Sequence, residues 1–344
     1  IQTFIPMNMI YINNKIFKIT FFLTLILIIS LLIDRINKNN LKNTFINKIP
    51  KCDLLYETFL WKTKFIKIKL TTLNYQNIVG STQGIELGNK KNLIFTTNGT
   101  NTNNVNIYDL NKKKRIHTKS LPINAANLLL VDEDKDNFKI MVSDYDDSKI
   151  LILDKELKQI GEIKLPQNFK YLVGLAKIDN EIIIVPSRSK DIIGLIDLRN
   201  TNEIKLIKTN TKEENTIYDL EYSNGCFFLN YREEGKILLG YFNKKNKFKL
   251  KDININLEYP QGVWFYNNNL FVLETGKNSI IKYDFKKLTK TISSLPKGVY
   301  RGVTGYDDKN LIISGQILSD IKEVTFSTKI VTDENKSILH YLSY

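Results

Sequence analysis

Apolar residues fall along this chain in two patterns. Between Ile16 and Ile33 they form one run, IFKITFFLTLILIISLLI, broken only by Lys18 and small hydroxyl residues. An apolar helix of that length approaches the hydrocarbon thickness of a bilayer, and Lys18 near one end can reach the interface. The run predicts a transmembrane helix over 16–34, with a short flank over 1–15 before it. A cleaved signal peptide is the alternative, but LLIDRINKNN lacks the small-x-small pattern of a cleavage site. An uncleaved signal anchor is therefore the expectation.

After a polar, basic stretch over 35–62, expected as a linker, the pattern changes to short β-type runs separated by Asn, Asp, Gly and Lys turns. No long helical period follows Ile33. The runs repeat: NLIFTTNG from Asn92, NFKIMVSD from Asn137, NEIIIVPS from Asn180, GCFFLNYR from Gly225, NNLFVLET from Asn268 and NLIISGQI from Asn310. Each is followed by a further strand: VNIYDL, KILILD, IIGLIDL, KILLGYF, SIIKYDF and IKEVTF. The spacing of roughly 40 to 47 residues is that of four-stranded propeller blades. The predicted fold is all-β, a six-bladed β-propeller of four-stranded blades over 63–344, with the N-terminal transmembrane helix before it. To close the ring, either FIKIKL (Phe65–Leu70) or the tail SILHYLSY must complete the last blade, which removes an exposed edge.

Aligning the first strand of each repeat gives a column of Gly84, Asn127, Gly174, Asp219, Gly262 and Gly302. These residues tolerate unusual backbone angles or close approach beside a crowded axis. The preceding column, Gln83, Ala126, Val173, Tyr218, Gln261 and Arg301, is expected at one mouth of the channel. The loops after the second strands reach the same face with Asn98, Asp144, Arg188, Tyr231, Arg232 and Glu274. Loops held by a rigid scaffold are where propellers bind ligands. The expected ligand-binding set is Gln83, Asp219, Gln261, Glu274, Arg301 and Arg188, a polar funnel suited to an amide, a peptide terminus or an anion.

The formal charge of +14 suggests nucleic acid or anionic lipid. However, Lys, Asn and Ile are inflated together and the lysines are spread along the whole chain, as codon bias would produce. With no recognition motif beside the charge, a nucleic-acid partner is not expected. Cys52 and Cys226 do not suggest a disulfide framework or a zinc site. His117 and His340 are the only histidines, which argues against His-based metal clusters and Ser-His-Asp catalysis. DEDKDN (132–137) imitates a calcium loop, but its twelfth position is Ser143 and the repeat makes it a turn. No cofactor is expected, although the channel leaves room for a calcium ion.

STQGIEL followed by NLIFTTNG resembles the opening of the plant and bacterial glutaminyl cyclases, where F-T-Q-G-L precedes a strand ending near E-S-T-G. YDLEYSNG (Tyr218–Gly225) and LFVLETGKN (Leu270–Asn278) are similar to later segments of that family. The resemblance covers roughly 80–280 and implies a propeller that cyclises N-terminal glutamine at its channel mouth. Gln83 falls on the family's Gln position, whereas its acid position holds Thr96, which cannot shuttle a proton at neutral pH. Glu274 and Asp219 are the remaining carboxylate candidates for catalysis.

Two readings follow, beside a third, a purely structural role in an envelope assembly. The first is a membrane-anchored propeller that binds a peptide, glycan or protein partner without catalysis. The second is an enzyme on the same fold, a cyclase-like transferase or a metal-assisted hydrolase. Positive charges on both sides of the apolar run weakly favour a cytoplasmic domain. Propellers with a single anchor usually face outward, so a single-pass protein with an extracytoplasmic propeller is expected.

Overall fold

The computed structural model describes residues 20–32, 46, 48–73, 81–88, 92–99, 102–134, 137–167, 169–188, 191–201, 204–209, 217–316 and 337–343. The chain divides into two units, Ile1–Pro50 and Lys51–Tyr344. In the first, a helix runs over 20–32. No helix among the described residues is long and apolar enough to cross a membrane. This overturns the expected signal anchor and, with it, the single-pass membrane localisation. Residues 16–19 and 33–34 of that expected span lie outside the described residues.

The second unit is all-β. It opens with β1 (Lys62–Phe65) and β2 (Lys69–Leu73). Three sheets then form in chain order. The first is β3 (Ser81–Leu87), β4 (Asn92–Gly99), β5 (Thr102–Asp109) and β6 (Lys114–Ser120). The second is β7 (Ala125–Asp134), β8 (Asn137–Asp144), β9 (Lys149–Leu153) and β10 (Gln159–Lys164). The third is β11 (Ala176–Lys177), β12 (Ile182–Ser187), β13 (Ile192–Asp197) and β14 (Ile204–Lys208). Then come β15 (Ile217–Ser223), β16 (Cys226–Tyr231), β17 (Lys236–Phe242) and β18 (Phe248–Asn256). The fifth sheet holds β19 (Pro260–Tyr266), β20 (Asn269–Glu274), β21 (Ser279–Asp284) and β22 (Thr289–Ser294), and the last holds β23 (Val299–Gly305), β24 (Asn310–Gln316) and β25 (Ser337–Ser343).

Each first strand touches the first strand of the next sheet, and β23 returns to β3, so the sheets form a closed ring. Second strands such as CFFLNY and NLFVLE are buried along their whole length, because sheets press on both faces. That double burial explains why these runs are apolar without alternation. Tight hairpins join the strands where Asn accepts left-handed angles, as at Asn224 (φ 45°) with Gly225 (φ 78°), and at Asn267 and Asn268 (φ 45° and 64°). DEDKDN likewise falls on an antiparallel hairpin, with Asp134 paired to Asn137.

Among the described residues five sheets are four-stranded and one is five-stranded, which departs from the uniform blades expected. The fifth strand is β1, laid parallel on β22 with Lys62 opposite Thr289. FIKIKL is thus split. Phe65 ends β1 on the fifth sheet, while Lys69 and Leu70 begin β2 on the last. Ring closure uses both candidate segments together: β25 pairs with β24, and β2 covers β25 as the outermost strand. IKEVTF, expected as the third strand there, lies outside the described residues, and β25 takes that place.

Residues 51–61, within the stretch expected as linker, form a strap of buried anchors. Cys52, Leu54 and Phe59 join a core with Phe228, Ile237, Val272, Tyr283 and Phe285. Trp61, expected in the linker, meets Tyr283 edge-on at 5.0 Å and Phe285 at 5.2 Å, and its Nε1 donates to the Ile253 carbonyl at 2.8 Å. Cys52 and Cys226 form a disulfide, contrary to the sequence expectation, although 174 residues separate them. The periodic pattern carried no information about a strap crossing the repeats, so neither partner could be assigned.

Candidate functional site at the channel mouth

The glycine column proves to be a matter of close approach between neighbouring first strands. A Cβ on Gly84 would lie 2.7 Å from Asn127 Oδ1 and 2.8 Å from its Cα, and one on Gly262 only 2.5 Å from the Arg301 carbonyl oxygen. The backbone has no room to yield there, so the repeated Gln-Gly is explained on its glycine side. Where the column is not glycine, the side chain joins strands. Asn127 Nδ2 donates to the Val173 carbonyl at 2.9 Å, and Asp219 accepts from the amides of Leu220 (2.9 Å) and Val263 (3.2 Å).

At this level the register of the first strand slips: between Thr82 and Ile85, Ala125 and Leu128, Ile217 and Asp219, Pro260 and Val263, and Tyr300 and Gly302. A bulge breaks the strict alternation of a strand and re-aims its side chains. Tyr218 and its neighbour Asp219 therefore line the same cavity, as do Ala126 and Asn127. That cavity, of about 380 Å³, is completed by Asn124, Tyr145, Val173, Arg188, Arg232 and Arg301. Asn127, Asp219 and Arg301 also line a narrower throat of about 40 Å³, deeper among the first strands, with Glu86, Glu221 and Trp264.

Of the expected residues, Arg188, Asp219 and Arg301 are brought together at the mouth. Two are not. Gln261 is buried and absent from the cavity wall; its carbonyl accepts from Asn230 Nδ2 at 2.5 Å. Glu274 is also buried, and its oxygens accept from the Glu258 amide (2.8 Å), Ser279 Oγ (2.7 Å) and Lys277 Nζ (3.3 Å). Its carboxylate is consumed in tying two loops. The side chains of Gln83 and Asn98 lie outside the described residues. Asp144 accepts from the amides of Asn124 and Asp146 and pairs with Lys149, while the Tyr231 hydroxyl donates to Asp191. Thr96, at the acid position of the resemblance, is fully buried; its Oγ accepts from the Gly84 amide at 2.9 Å, a joint between strands.

The mouth is cationic and its cations are held in place. Arg232 lies over the Tyr218 ring at 3.9 Å and over Tyr259 at 4.7 Å. Arg188 is 5.6 Å from the Tyr218 ring and reaches the Tyr145 hydroxyl at 3.4 Å. Both guanidinium groups converge on Glu233 Oε1, from Arg188 Nη2 and Arg232 Nε at 3.0 Å each. Arg301 Nε is buried without a partner among the described residues.

Burial pushes the Asp219 carboxyl up to about 8, against the two amides that favour its charged form, with a smaller push from Glu86. Glu221 is raised well above the usual range, chiefly by burial and then by Glu86 and Asp219. These throat carboxyls were not anticipated from sequence. The signal was there, since Glu86 and Glu221 stand two residues after the column at Gly84 and Asp219, on the same strand face. Among the described residues, no group of His, Cys, Asp and Glu could hold a metal ion.

A raised acid binds its proton more tightly when folded than when unfolded. The contribution of Asp219 is therefore whole below about pH 4 and is lost as pH rises through about 8. Asp219→Asn is expected to flatten the fall in stability between pH 5 and 9 in thermal unfolding. An unchanged slope would show that Asp219 titrates normally.

No family model matches the chain, and no curated protein matches it in sequence. Solved structures do match. A streptogramin B lyase is 14% identical, with 80% of this chain and 97% of the other covered at a TM-score of 0.56. A luciferin-regenerating enzyme is 11% identical over 80% of this chain and 95% of the other, at a TM-score of 0.58. An auxiliary nutrient binding protein from Bacteroides ovatus is 9% identical over 74% and 72%, at a TM-score of 0.55. The chain has a β-propeller fold. At these identities the likeness carries the fold alone. It does not single out the glutaminyl cyclases.

Proposed function

We propose that the six sheets act as the six blades of a binding propeller, whose channel mouth recognises a peptide, glycan or protein partner. The observation that carries this reading is the cavity of about 380 Å³, to which several sheets contribute bulge and loop residues. Such convergence on a rigid ring positions polar groups at little entropic cost on binding. Arg188, Asp219 and Arg301 are the contacts we assign first, with Tyr218 as the apolar surface.

Asp219 favours a second reading. A carboxyl pushed up to about 8 at the floor of a cavity holds a proton at neutral pH and can give it up, as a general acid must. On that reading the domain is an enzyme of the cyclase, lyase or hydrolase kind.

The test is a panel of free, C-amidated and N-acetylated peptides, with neutral and acidic glycans, presented to the full chain and to Ala126→Trp, which fills the mouth. Binders of the unaltered chain are expected to lose at least about tenfold in affinity in the variant. Binding indifferent to the variant would sink the assignment. Product formation that Asp219→Asn abolishes would replace binding by catalysis.

A further inference from the structure

We propose that the channel mouth is an oxyanion site, gripping a carboxylate, phosphate or sulfate of its ligand with Arg188, Arg232 and Arg301, and that Glu233 occupies part of this grip as an internal competitor. The proposal rests on the reading of the mouth as a ligand site and adds the chemistry of what enters it.

Three observations lead there. The first is the concentration of guanidinium groups: arginines from three different sheets line one cavity, whose wall holds one carboxyl, Asp219. Since the Asp219 carboxyl is pushed up to about 8, it is mostly uncharged at neutral pH and does little to offset them. The second is orientation. A guanidinium offers fixed N–H forks, and Arg232, stacked between Tyr218 and Tyr259, cannot turn its plane freely. Arg301 adds a buried Nε with no partner among the described residues.

The third is Glu233 itself. One carboxylate oxygen takes N–H groups from Arg188 and from both Nε and Nη2 of Arg232. It shows that the two arginines already converge on a single oxygen position. The Glu233 side chain is 42% exposed, against 21% and 12% for its partners. A rim carboxylate of that kind is held weakly, and it can swing into solvent when an incoming oxyanion offers more oxygens to the same forks.

The competitor makes the inference testable in a direction that a structural role would not produce. Inorganic phosphate, sulfate and citrate are titrated into the full chain at constant ionic strength by calorimetry, with thermal shift in parallel. Glu233→Gln keeps the side chain's size and removes its charge. It is expected to tighten binding about two- to fivefold, the worth of an exposed ion pair. Arg301→Gln and Arg188→Gln are each expected to weaken it about tenfold or more, as loss of a charged hydrogen bond does. Lys119→Gln, on an exposed strand and absent from the cavity wall, should change nothing. Preference for citrate or for phosphate distinguishes a carboxylate from a phosphoryl ligand.

The proposal is overturned if none of the three anions binds, if Glu233→Gln weakens or does not alter binding, or if Lys119→Gln weakens it as much as Arg301→Gln. Should neutral panel members bind and be lost in Ala126→Trp while the anions fail, this inference falls and the mouth remains a ligand site. If neither class responds to Ala126→Trp, the site itself falls.

Discussion

Replacing Phe285 by alanine is expected to lower the unfolding free energy by about 3–5 kcal/mol. The ring is fully buried, touching Phe59 and Trp61 of the strap at 6.0 and 5.2 Å, Phe228 of the fourth sheet at 5.5 Å and Phe265 of the fifth at 6.1 Å. Three parts of the unit thus share one aromatic joint, and no single neighbour can collapse into the space without leaving another. Urea unfolding followed by tryptophan emission reads the change directly, because Trp61 lies in the joint. A loss below about 1 kcal/mol would mean that the joint repacks and does not hold the strap.

Breaking the Cys52–Cys226 bond should have an effect of similar size. Cys226→Ser, or reduction of the unaltered chain, is expected to cost about 2–5 kcal/mol. The bond closes a loop across 174 residues, for which chain entropy alone gives about 5 kcal/mol as an upper figure. Both treatments should lower the urea midpoint equally, and a variant insensitive to reductant identifies the bond as the cause. Combined with Phe285→Ala, the losses should fall short of their sum by about 0.5–3 kcal/mol, since both loosen the same strap. Strict additivity would separate the bond from the joint.

The strap was the part of the fold that the sequence concealed. The repeat was legible because strands pressed on both faces must be apolar throughout, as in IIIVPS and CFFLNY, and because a crowded axis admits little but Gly, Asn or Asp. Nothing periodic marks residues 51–61: Cys52, Leu54, Phe59 and Trp61 sit at irregular intervals among polar neighbours, and their partners lie far along the chain.

The mouth was legible for a related reason. Counting from the glycine column found Asp219 and Arg301, and counting from the second strands found Arg188, since each is placed by the backbone of its sheet. The same counting failed for Gln261 and Glu274, whose environments are set by Asn230, Glu258 and Ser279, local contacts that no column records. Glu233 lies in a turn between β16 and β17, where no repeat pattern distinguishes one acidic residue from the next.

The way the ring is fastened also sets the order in which it can form. β25 lies between β24 and β2, and β2 is made long before it. During synthesis each earlier sheet can assemble beside its predecessor, but the last must wait until residues 337–343 have emerged. Until then β2 has no β25 to cover, and the edge of β24 stays open. During that interval an unpaired strand edge is available to other chains.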